Sequence, residues 1–273
     1  MKYAIAIRNM GPQSTRETIR SCARVAEKLG FDALFVSDHL CIPPDDIEGS
    51  GGRYLDVLAT LAYLAGVTDR IRLGVSVLVL PYRPAVLTAK QVATIQELSG
   101  ERMILGVGVG WMKREFEALS VDKRMRGRIS NETLRVLRHL FGTQAQAYRG
   151  DLVSFPPFVF EPRPACPPIW IGGNGDPAIA RVLEFGDGWH PMLPADKLKP
   201  AVTSLKEKLK ARGRGEIEIV VRRGLRFDDV GAARARLAAE RDAGATYFIL
   251  DLGRYPSERE FIAQAEAFIS KVA

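Results

Sequence analysis

The chain has 273 residues, of which 47% are hydrophobic and 26% are charged, the balance of an ordinary soluble globular protein. This length can bury a large core, and single α/β barrels commonly run to about 250 residues. The net charge of +7 is compatible with an anionic partner, but the basic residues are scattered through helical segments instead of forming a patch. We therefore expect a small-molecule ligand and no nucleic-acid binding.

The cysteines and the amino terminus exclude two further classes of protein. Cys22, Cys41 and Cys166 are odd in number and far apart, with no Cys/His spacing typical of zinc, so we predict neither a disulfide framework nor a metal site. Met1 leads directly into an apolar strand without a signal peptide, and no apolar run approaches the ~20 residues of a membrane span. We expect a cytoplasmic protein that does not bind a membrane.

Short apolar runs alternate with helical patterns over the first part of the chain. The predicted strands are 2–8, 31–37, 71–79 and 102–109, and the predicted helices are 15–29, 55–67 and 85–98. Strand 71–79 is almost continuously apolar, which is typical of a strand buried on both faces. The loop 41–53, rich in Pro, Gly and Asp, is longer than usual connections, which is typical of a lid or binding loop, with a plain surface insertion as the alternative.

The alternation breaks over residues 111–167 and then resumes. Helices are predicted at 112–119 and 126–141, followed by a proline-rich stretch, and we interpret this region as an insertion outside the main sheet. Beyond it, the predicted strands are 169–172, 187–191, 216–223 and 246–251, and the predicted helices are 176–185, 195–211, 229–242 and 257–271. The insertion depends on the flanking strands, so residues 1–273 are predicted to form one domain.

This pattern of eight strands alternating with helices predicts the α/β class and a single closed (β/α)8 TIM barrel with an insertion after strand 4. The rival is an open doubly wound sheet, which usually has about five to seven strands and a glycine-rich turn after the first one. Residues 7–11 contain no G-x-G-x-x-G pattern, so the barrel is favoured.

A barrel brings the carboxyl ends of its strands to one mouth, where ligands are handled. Strand 31–37 ends on Asp38 and His39, and the chain has only three histidines. An imidazole exchanges protons near neutral pH, so His39 is the candidate proton-transfer group, with a loop cap as the alternative. His190 falls on the same rim, but its surroundings favour a packed strand end, and His139 is expected to be structural within a helix.

Two glycine-rich segments end other strands. Residues 106–110, Gly-Val-Gly-Val-Gly, remove side chains at alternate positions, which makes room for a flat ring or, alternatively, for tight packing of a helix on the strand. Residues 171–177 lead from a strand into a helix, as a phosphate cradle does, and the alternative is an ordinary turn capped by Asp176. The cradle residues are Gly172, Gly173 and Asn174. The sequence lacks a nucleophile elbow and the rim lacks paired carboxylates, so we expect a cofactor to supply the chemistry.

These residues together resemble the luciferase-like monooxygenase superfamily, in particular its branch of oxidoreductases that use the deazaflavin coenzyme F420. The resemblance runs along almost the whole chain, through Leu34–His39, Arg70–Val77, Leu87–Gly100, Arg102–Trp111 and Pro168–Gly173. It implies a (β/α)8 barrel with an insertion and a homodimer.

The resemblance also implies roles for individual residues. Asp38 and His39 match a pair that touches the deazaflavin, with the histidine as proton donor or as stabiliser of the reduced cofactor. Ser76 and Val77 match the site of a non-prolyl cis peptide that forms a bulge behind the ring. The implied ring contacts are Val79, Val109 and Gly110. The implied phosphate-side contacts are Gly172 and Gly173.

Two positions depart from the pattern of related enzymes. Trp111 stands where the sugar-phosphate dehydrogenases of this branch carry a catalytic Glu, which argues against a sugar-phosphate substrate. Val109 stands where bacterial luciferase carries an Arg for the flavin phosphate, which disfavours FMN.

We therefore expect an oxidoreductase that transfers a hydride between coenzyme F420 and a small organic substrate, with His39 handling the proton. One alternative is a monooxygenase that uses reduced FMN supplied by a separate flavin reductase. Another is a non-catalytic protein that binds the cofactor. In each case the loop 41–53 and the insertion 111–167 are expected to line the substrate pocket.

Overall fold

The computed structural model describes residues 1–142 and 147–273. Its strands are β1 (Lys2–Ala6), β2 (Ala33–Val36), β3 (Arg72–Val79), β4 (Met103–Gly108), β5 (Tyr148–Arg149), β6 (Ser154–Phe155), β7 (Ile169–Gly172), β8 (Gly188–His190), β9 (Glu218–Arg223) and β10 (Tyr247–Leu250). Its α-helices are α1 (Arg16–Lys28), α2 (Val57–Ala65), α3 (Ala85–Leu98), α4 (Lys113–Ala118), α5 (Arg126–Gly142), α6 (Asp176–Phe185), α7 (Ala195–Ala211), α8 (Val230–Asp242) and α9 (Glu258–Ala267).

The sheet closes on itself in the order β1-β10-β9-β8-β7-β4-β3-β2, which confirms the predicted barrel. Closure is visible at β1, which pairs in parallel with both β2 and β10. An open doubly wound sheet would leave two unpaired edges, so this pairing excludes it. Every barrel strand runs in the same direction, and all carboxyl ends therefore meet at one mouth.

The helix ends follow local sequence signals. Thr15 caps α1, because its side chain accepts a hydrogen bond from the Thr18 backbone N–H at 3.2 Å. Asp56 and Asp229 cap α2 and α8 in the same way. The barrel strands other than β7 are shorter than predicted. Phe31, for example, is buried, yet its N–H donates to the Ala26 carbonyl in α1 and not to a neighbouring strand. The apolar pattern identifies buried residues, and burial continues past the residues that pair with a neighbouring strand.

Aromatic side chains fill the interior of the barrel at the level of the strand centres. Trp170 stacks on Phe35 with a centroid distance of 5.5 Å and meets Tyr247 edge-on at 4.8 Å. Gly74 and Gly188 make room for them, since an added Cβ would lie 2.1 Å from the Phe35 ring and 2.4 Å from the Trp170 ring. Side chains therefore fill the barrel interior below the mouth.

The next inward positions along the strands are polar or lack a side chain. Because side chains alternate, a residue two positions beyond an interior one points to the same side. Phe35 leads to Ser37, Val220 leads to Arg222, and Trp170 leads to Gly172. This upper layer forms the floor of the mouth.

Between β4 and β7 the chain forms α4, α5 and the antiparallel hairpin β5–β6. Helix α5 packs beside α3 and α6, where the fourth helix of the barrel belongs. Helix α4 and the hairpin are additions to the eightfold repeat. In the described ranges 1–142 and 147–273, no helix is long and apolar enough to cross a membrane.

Candidate functional site at the barrel mouth

His39 lies directly after β2 and pairs with a carboxylate that the sequence analysis missed. Its Nδ1 is 2.9 Å from Oε2 of Glu115, the third residue of α4. The His39 side chain is 19% exposed, whereas the Glu115 side chain is fully buried. The His39 ring is therefore partly exposed at the mouth, and a buried carboxylate holds its Nδ1.

Glu115 is surrounded by hydrogen-bond donors. Its Oε1 accepts from the backbone N–H groups of Leu40 and Cys41 at 2.5 and 3.2 Å, and its Oε2 accepts from the Tyr82 hydroxyl at 2.8 Å. Burial by itself would raise the pKa of Glu115, but the bonds from His39, the Leu40 N–H and Tyr82 outweigh it and lower this pKa below the ordinary value. Glu115 is thus an anion at neutral pH and can only accept a hydrogen bond.

An anionic Glu115 determines which nitrogen of His39 carries the proton. Nδ1 must be protonated in order to donate to the carboxylate, so Nε2 of the neutral ring has a free lone pair. Among the described residues, Nε2 has no hydrogen-bond partner. The ring lies between Tyr54 and Trp111, at centroid distances of 5.1 and 6.1 Å, and Trp111 is 65% exposed. His39 can therefore exchange a proton with a ligand through Nε2.

Asp38 makes contacts within the protein. Both of its oxygens accept from the Arg83 guanidinium at 2.7 and 2.9 Å, and Oδ2 also accepts from the Val79 N–H at 2.9 Å. Its side chain is completely buried. These bonds tie the end of β2, and hence His39, to the end of β3. A direct contact between Asp38 and a cofactor stays a prediction.

The peptide bond between Ser76 and Val77 is cis, as expected from the resemblance. The pairing of β3 with β4 shifts register between Val75 and Leu78, which marks a bulge at this bond. Ser76 and Val77 are half-buried, while their neighbours in the strand are buried. The bulge therefore presents these two residues at the mouth.

The alternate glycines of β4 and the end of β7 receive the Val77 side chain. A Cβ at Gly108 would lie 2.6 Å from Val77 Cγ2, and one at Gly172 would lie 3.2 Å from Val77 Cγ1. At Gly106, a Cβ would lie 2.1 Å from the Val75 carbonyl oxygen. The glycines are thus required by close packing against the bulge of β3, a strand-on-strand contact and not the helix-on-strand packing that was the alternative from the sequence. The surface at this part of the mouth is therefore apolar, and the Val77 side chain packs directly over the glycines.

The other predicted ring contacts, Val79, Val109 and Gly110, lie at the carboxyl ends of β3 and β4. Val109 and Gly110 are half-buried, whereas Val79 is buried against Gly110 and Phe116. Gly110 has a φ of +75°, so it adopts a left-handed conformation at which the chain turns into α4. The structure thus places Val109 and Gly110 within reach of a ligand and Val79 beneath them.

The predicted phosphate cradle follows β7. Gly173 has a φ of +120°, and its carbonyl accepts from the Trp189 indole N–H at 2.8 Å. The exposed Asn174 accepts from the Met192 N–H at 2.7 Å, and α6 begins at Asp176 after an N-cap at Gly175. Asp176 is therefore the first residue of the helix and not its cap. The turn directs the start of a ten-residue helix towards the mouth.

His190 has a structural environment, as its sequence neighbours indicated. Its Nε2 is 2.8 Å from the Ser76 hydroxyl and its Nδ1 is 3.2 Å from the Val220 carbonyl. Burial, assisted by the nearby positive charge of Arg222, lowers the pKa of His190 to about 4. His190 is thus neutral at physiological pH and supports the bulge from below. His139 lies on α5 and contacts the Tyr148 ring of the β5–β6 hairpin.

Arg222 crosses the centre of the mouth, and no role for it was predicted from the sequence. Its Nε donates to Asp251 at 2.9 Å, and one terminal nitrogen donates to the Ser37 hydroxyl and the Ser76 carbonyl, each at 3.1 Å. The signal for Arg222 was its inward register on a strand end, two positions beyond Val220. No comparable signal identified Glu115, because its partner is 76 positions away.

A separate cavity of about 610 Å³ adjoins α4. Its lining residues are Lys113, Phe116, Glu117, Val121, Asp122, Lys123, Arg124 and Arg126. Helix α4 carries Glu115 and also part of the cavity lining, but His39, Val77 and Arg222 do not line the cavity.

Comparison with known proteins agrees with this arrangement. The family model described as luciferase-like monooxygenase matches residues 1–267. An uncharacterised protein of Mycobacterium tuberculosis is 28% identical over 225 residues, which are 76% of this chain and 78% of that protein. A 5,10-methylenetetrahydromethanopterin reductase of Methanolobus tindarius is 29% identical over 222 residues, which are 80% of this chain and 64% of the reductase.

A solved structure shows the same fold across the whole chain. It is an F420-dependent secondary alcohol dehydrogenase in complex with an F420–acetone adduct, with a TM-score of 0.82 and 15% identity over 99% of this chain and 98% of the dehydrogenase. The closed barrel, the bulge at Ser76–Val77 and the match over residues 1–267 lead to one conclusion: the chain belongs to the luciferase-like monooxygenase family.

Proposed function

We propose that this oxidoreductase uses coenzyme F420 to transfer a hydride to or from a small organic substrate, and that His39 moves the accompanying proton. The observation that carries the proposal is the pair of His39 and Glu115, which leaves Nε2 of His39 available at the mouth. F420 stands in the printed description of the structurally similar alcohol dehydrogenase, and the sequence relatives include a reductase.

The residues at the mouth fit a planar cofactor. Val77, Val109 and the glycines of residues 106–110 would hold a flat ring, because the backbone there offers an apolar surface without tall side chains. The turn at Gly172, Gly173 and Asn174, with the start of α6, would hold a phosphate through backbone N–H groups. A deazaflavin bound there supplies the hydride chemistry.

The protein would supply orientation and proton transfer. Glu115 keeps the proton of neutral His39 on Nδ1, and Nε2 accepts the proton that a substrate hydroxyl loses as its carbon is oxidised. In the reverse direction, protonated His39 donates from Nε2 to the oxygen of a carbonyl that is being reduced. Proton and hydride together account for the two hydrogens that an alcohol loses or a carbonyl gains.

Titration with F420 and with FMN, followed by quenching of tryptophan fluorescence, tests the cofactor. Trp111 is the exposed reporter, since Trp170 and Trp189 are buried. We expect F420 to bind, and His39→Asn to retain this binding while turnover falls about 10²-fold or more. Tight FMN binding without F420 binding would refute the proposal and support the reduced-flavin monooxygenase. F420 binding without turnover of any substrate would support a cofactor-binding protein.

A further inference from the structure

We propose that the mouth contains a carboxylate-binding subsite formed by Arg8 and Arg222, so that the substrate is an organic molecule with an acidic group. The inference rests on the proposed function only in that the acid-bearing molecule is taken to be the substrate. The subsite itself is a feature of the barrel that can be tested without any cofactor.

Arg222 provides a fixed guanidinium at the centre of the mouth. Asp251, Ser37 and Ser76 hold it from three different strand ends, so its position is determined by the barrel itself. About 24% of its side chain is exposed. Among the described residues, its second terminal nitrogen, Nη2, has no acceptor. A guanidinium held in this way donates to a ligand with little loss of conformational freedom.

Arg8, two residues after β1, adds a second positive charge, and β10 lies between β1 and β9 in the barrel. Within the described part of the chain, its guanidinium donates only to the backbone carbonyls of Gly49 at 2.7 Å and Gly253 at 3.4 Å. Among the described residues, no carboxylate lies within ion-pair distance of it. The Arg8 side chain is half-buried, so its charge is not neutralised by a partner and is only partly screened by water.

The two arginines act on the same space. Burial alone would raise the pKa of Asp251, but Arg222, the Gly253 N–H and Arg8 together lower it below its ordinary value. Gly253 links the two arginines, because its carbonyl accepts from Arg8 at 3.4 Å and its N–H donates at 2.9 Å to Asp251, which pairs with Arg222. Asp251 and Gly253 therefore bring both guanidinium groups to the same side of the mouth.

The charged residues and the glycines arise on opposite sides of the mouth, although Arg222 reaches across to the Ser76 carbonyl in the bulge. Arg222 lies on β9, whereas Arg8 and Asp251 follow the ends of β1 and β10, and these three strands are consecutive in the barrel. The glycine floor and the bulge come from β3, β4 and β7, which are consecutive on the other side. A cofactor on the glycine side would leave the arginines facing the substrate. Asp251 neutralises one of the two charges, so the subsite has room for one carboxylate.

Calorimetric titration with benzoate and benzamide tests the subsite, because the two probes have nearly the same shape and differ in charge. We expect wild-type protein, with and without F420, to bind benzoate about tenfold more tightly than benzamide. Arg8→Gln should abolish this preference, Arg8→Lys should restore part of it, and benzamide binding should not change. Arg20→Gln is the matched control, because Arg20 is exposed on α1 and its removal changes the net charge equally.

Turnover gives the second measurement, with 4-oxopentanoate and 4-oxopentanamide as paired substrates for oxidation of reduced F420. KM for the acid should rise about tenfold in Arg8→Gln and in Arg222→Lys, with kcat nearly unchanged. The subsite would be overturned if wild-type protein bound benzoate and benzamide equally. It would also be overturned if the preference for the acid persisted in both Arg8→Gln and Arg222→Lys. If F420 does not bind but the benzoate preference depends on Arg8, the subsite stands and the proposed function fails.

Discussion

His39 and Glu115 form a hydrogen bond of 2.9 Å between the end of β2 and helix α4. Helix α4 is one of the additions between β4 and β7, so a segment outside the eightfold repeat supplies the partner of the candidate proton-transfer group. The buried carboxylate also accepts from Tyr82 and from two backbone N–H groups. Its position is therefore rigid, and the orientation of His39 follows from it.

Replacing Glu115 by Gln should lower kcat by about 10- to 100-fold without abolishing F420 binding. The amide leaves one acceptor for several donors, and a buried unsatisfied donor costs about 1–3 kcal/mol of stability. With an alcohol as substrate, for which His39 acts as the base, the acidic limb of the pH–rate profile should move to lower pH, because the protonated imidazole loses its anionic neighbour. Steady-state kinetics across pH and thermal unfolding measure both effects.

The matched control for this change is Glu117→Gln. Glu117 lies on the same helix, is exposed and, among the residues that the structure describes, pairs only with Lys113. It should leave the pH profile and kcat unchanged. An unaltered pH profile in Glu115→Gln would contradict the positioning role of Glu115.

Buried His190 should make stability depend on pH between about 4 and 6.5. Its pKa is lowered to about 4 in the folded protein, so in this range only the unfolded chain binds the proton. The free energy of unfolding should therefore fall as the pH decreases, by about 2 kcal/mol between pH 7.5 and 5. Urea unfolding at several pH values measures the slope. His190→Gln removes the titrating group, and a slope that persists in this variant would assign it to other residues.

Gly108→Ala should destabilise the protein by about 1–3 kcal/mol and weaken cofactor binding, because the new Cβ would lie 2.6 Å from Val77 Cγ2. The Val77→Ala change removes that atom, so Gly108→Ala should cost less in this background. Gly215→Ala is the control, as nothing lies within 4 Å of a Cβ there. A double-mutant cycle by urea unfolding measures the coupling, and additive effects would show that Val77 does not limit the glycine.

Arg83→Met should reduce the free energy of unfolding by about 3–5 kcal/mol, since it leaves the buried carboxylate of Asp38 without its partner. Arg124→Met is the matched control, because its pair with Asp122 is at the surface and such pairs contribute little. Urea unfolding compares the two. A small effect of Arg83→Met would mean that Asp38 is neutral or solvated in the folded protein.

The periodicity of the sequence predicted the larger elements well because it reports which faces are buried. Helices 85–98, 176–185 and 195–211 coincide with α3, α6 and α7. The pattern predicted strand ends less well, since Phe31 is buried without belonging to a ladder. The glycines of residues 106–110 suggested room for a ring, and the structure shows that the first occupant of that room is Val77.

The sequence alone determined the eightfold alternation, and with it the closed barrel and the set of residues at its mouth. Strand direction and side-chain alternation are local properties, so His39 and His190 could be assigned to one rim before any contact was known. The tertiary structure alone decided which of these side chains meet. Contacts such as His39 with Glu115 and Arg222 with Ser37 join residues 76 and 185 positions apart, and depend on how the barrel closes and where α4 packs.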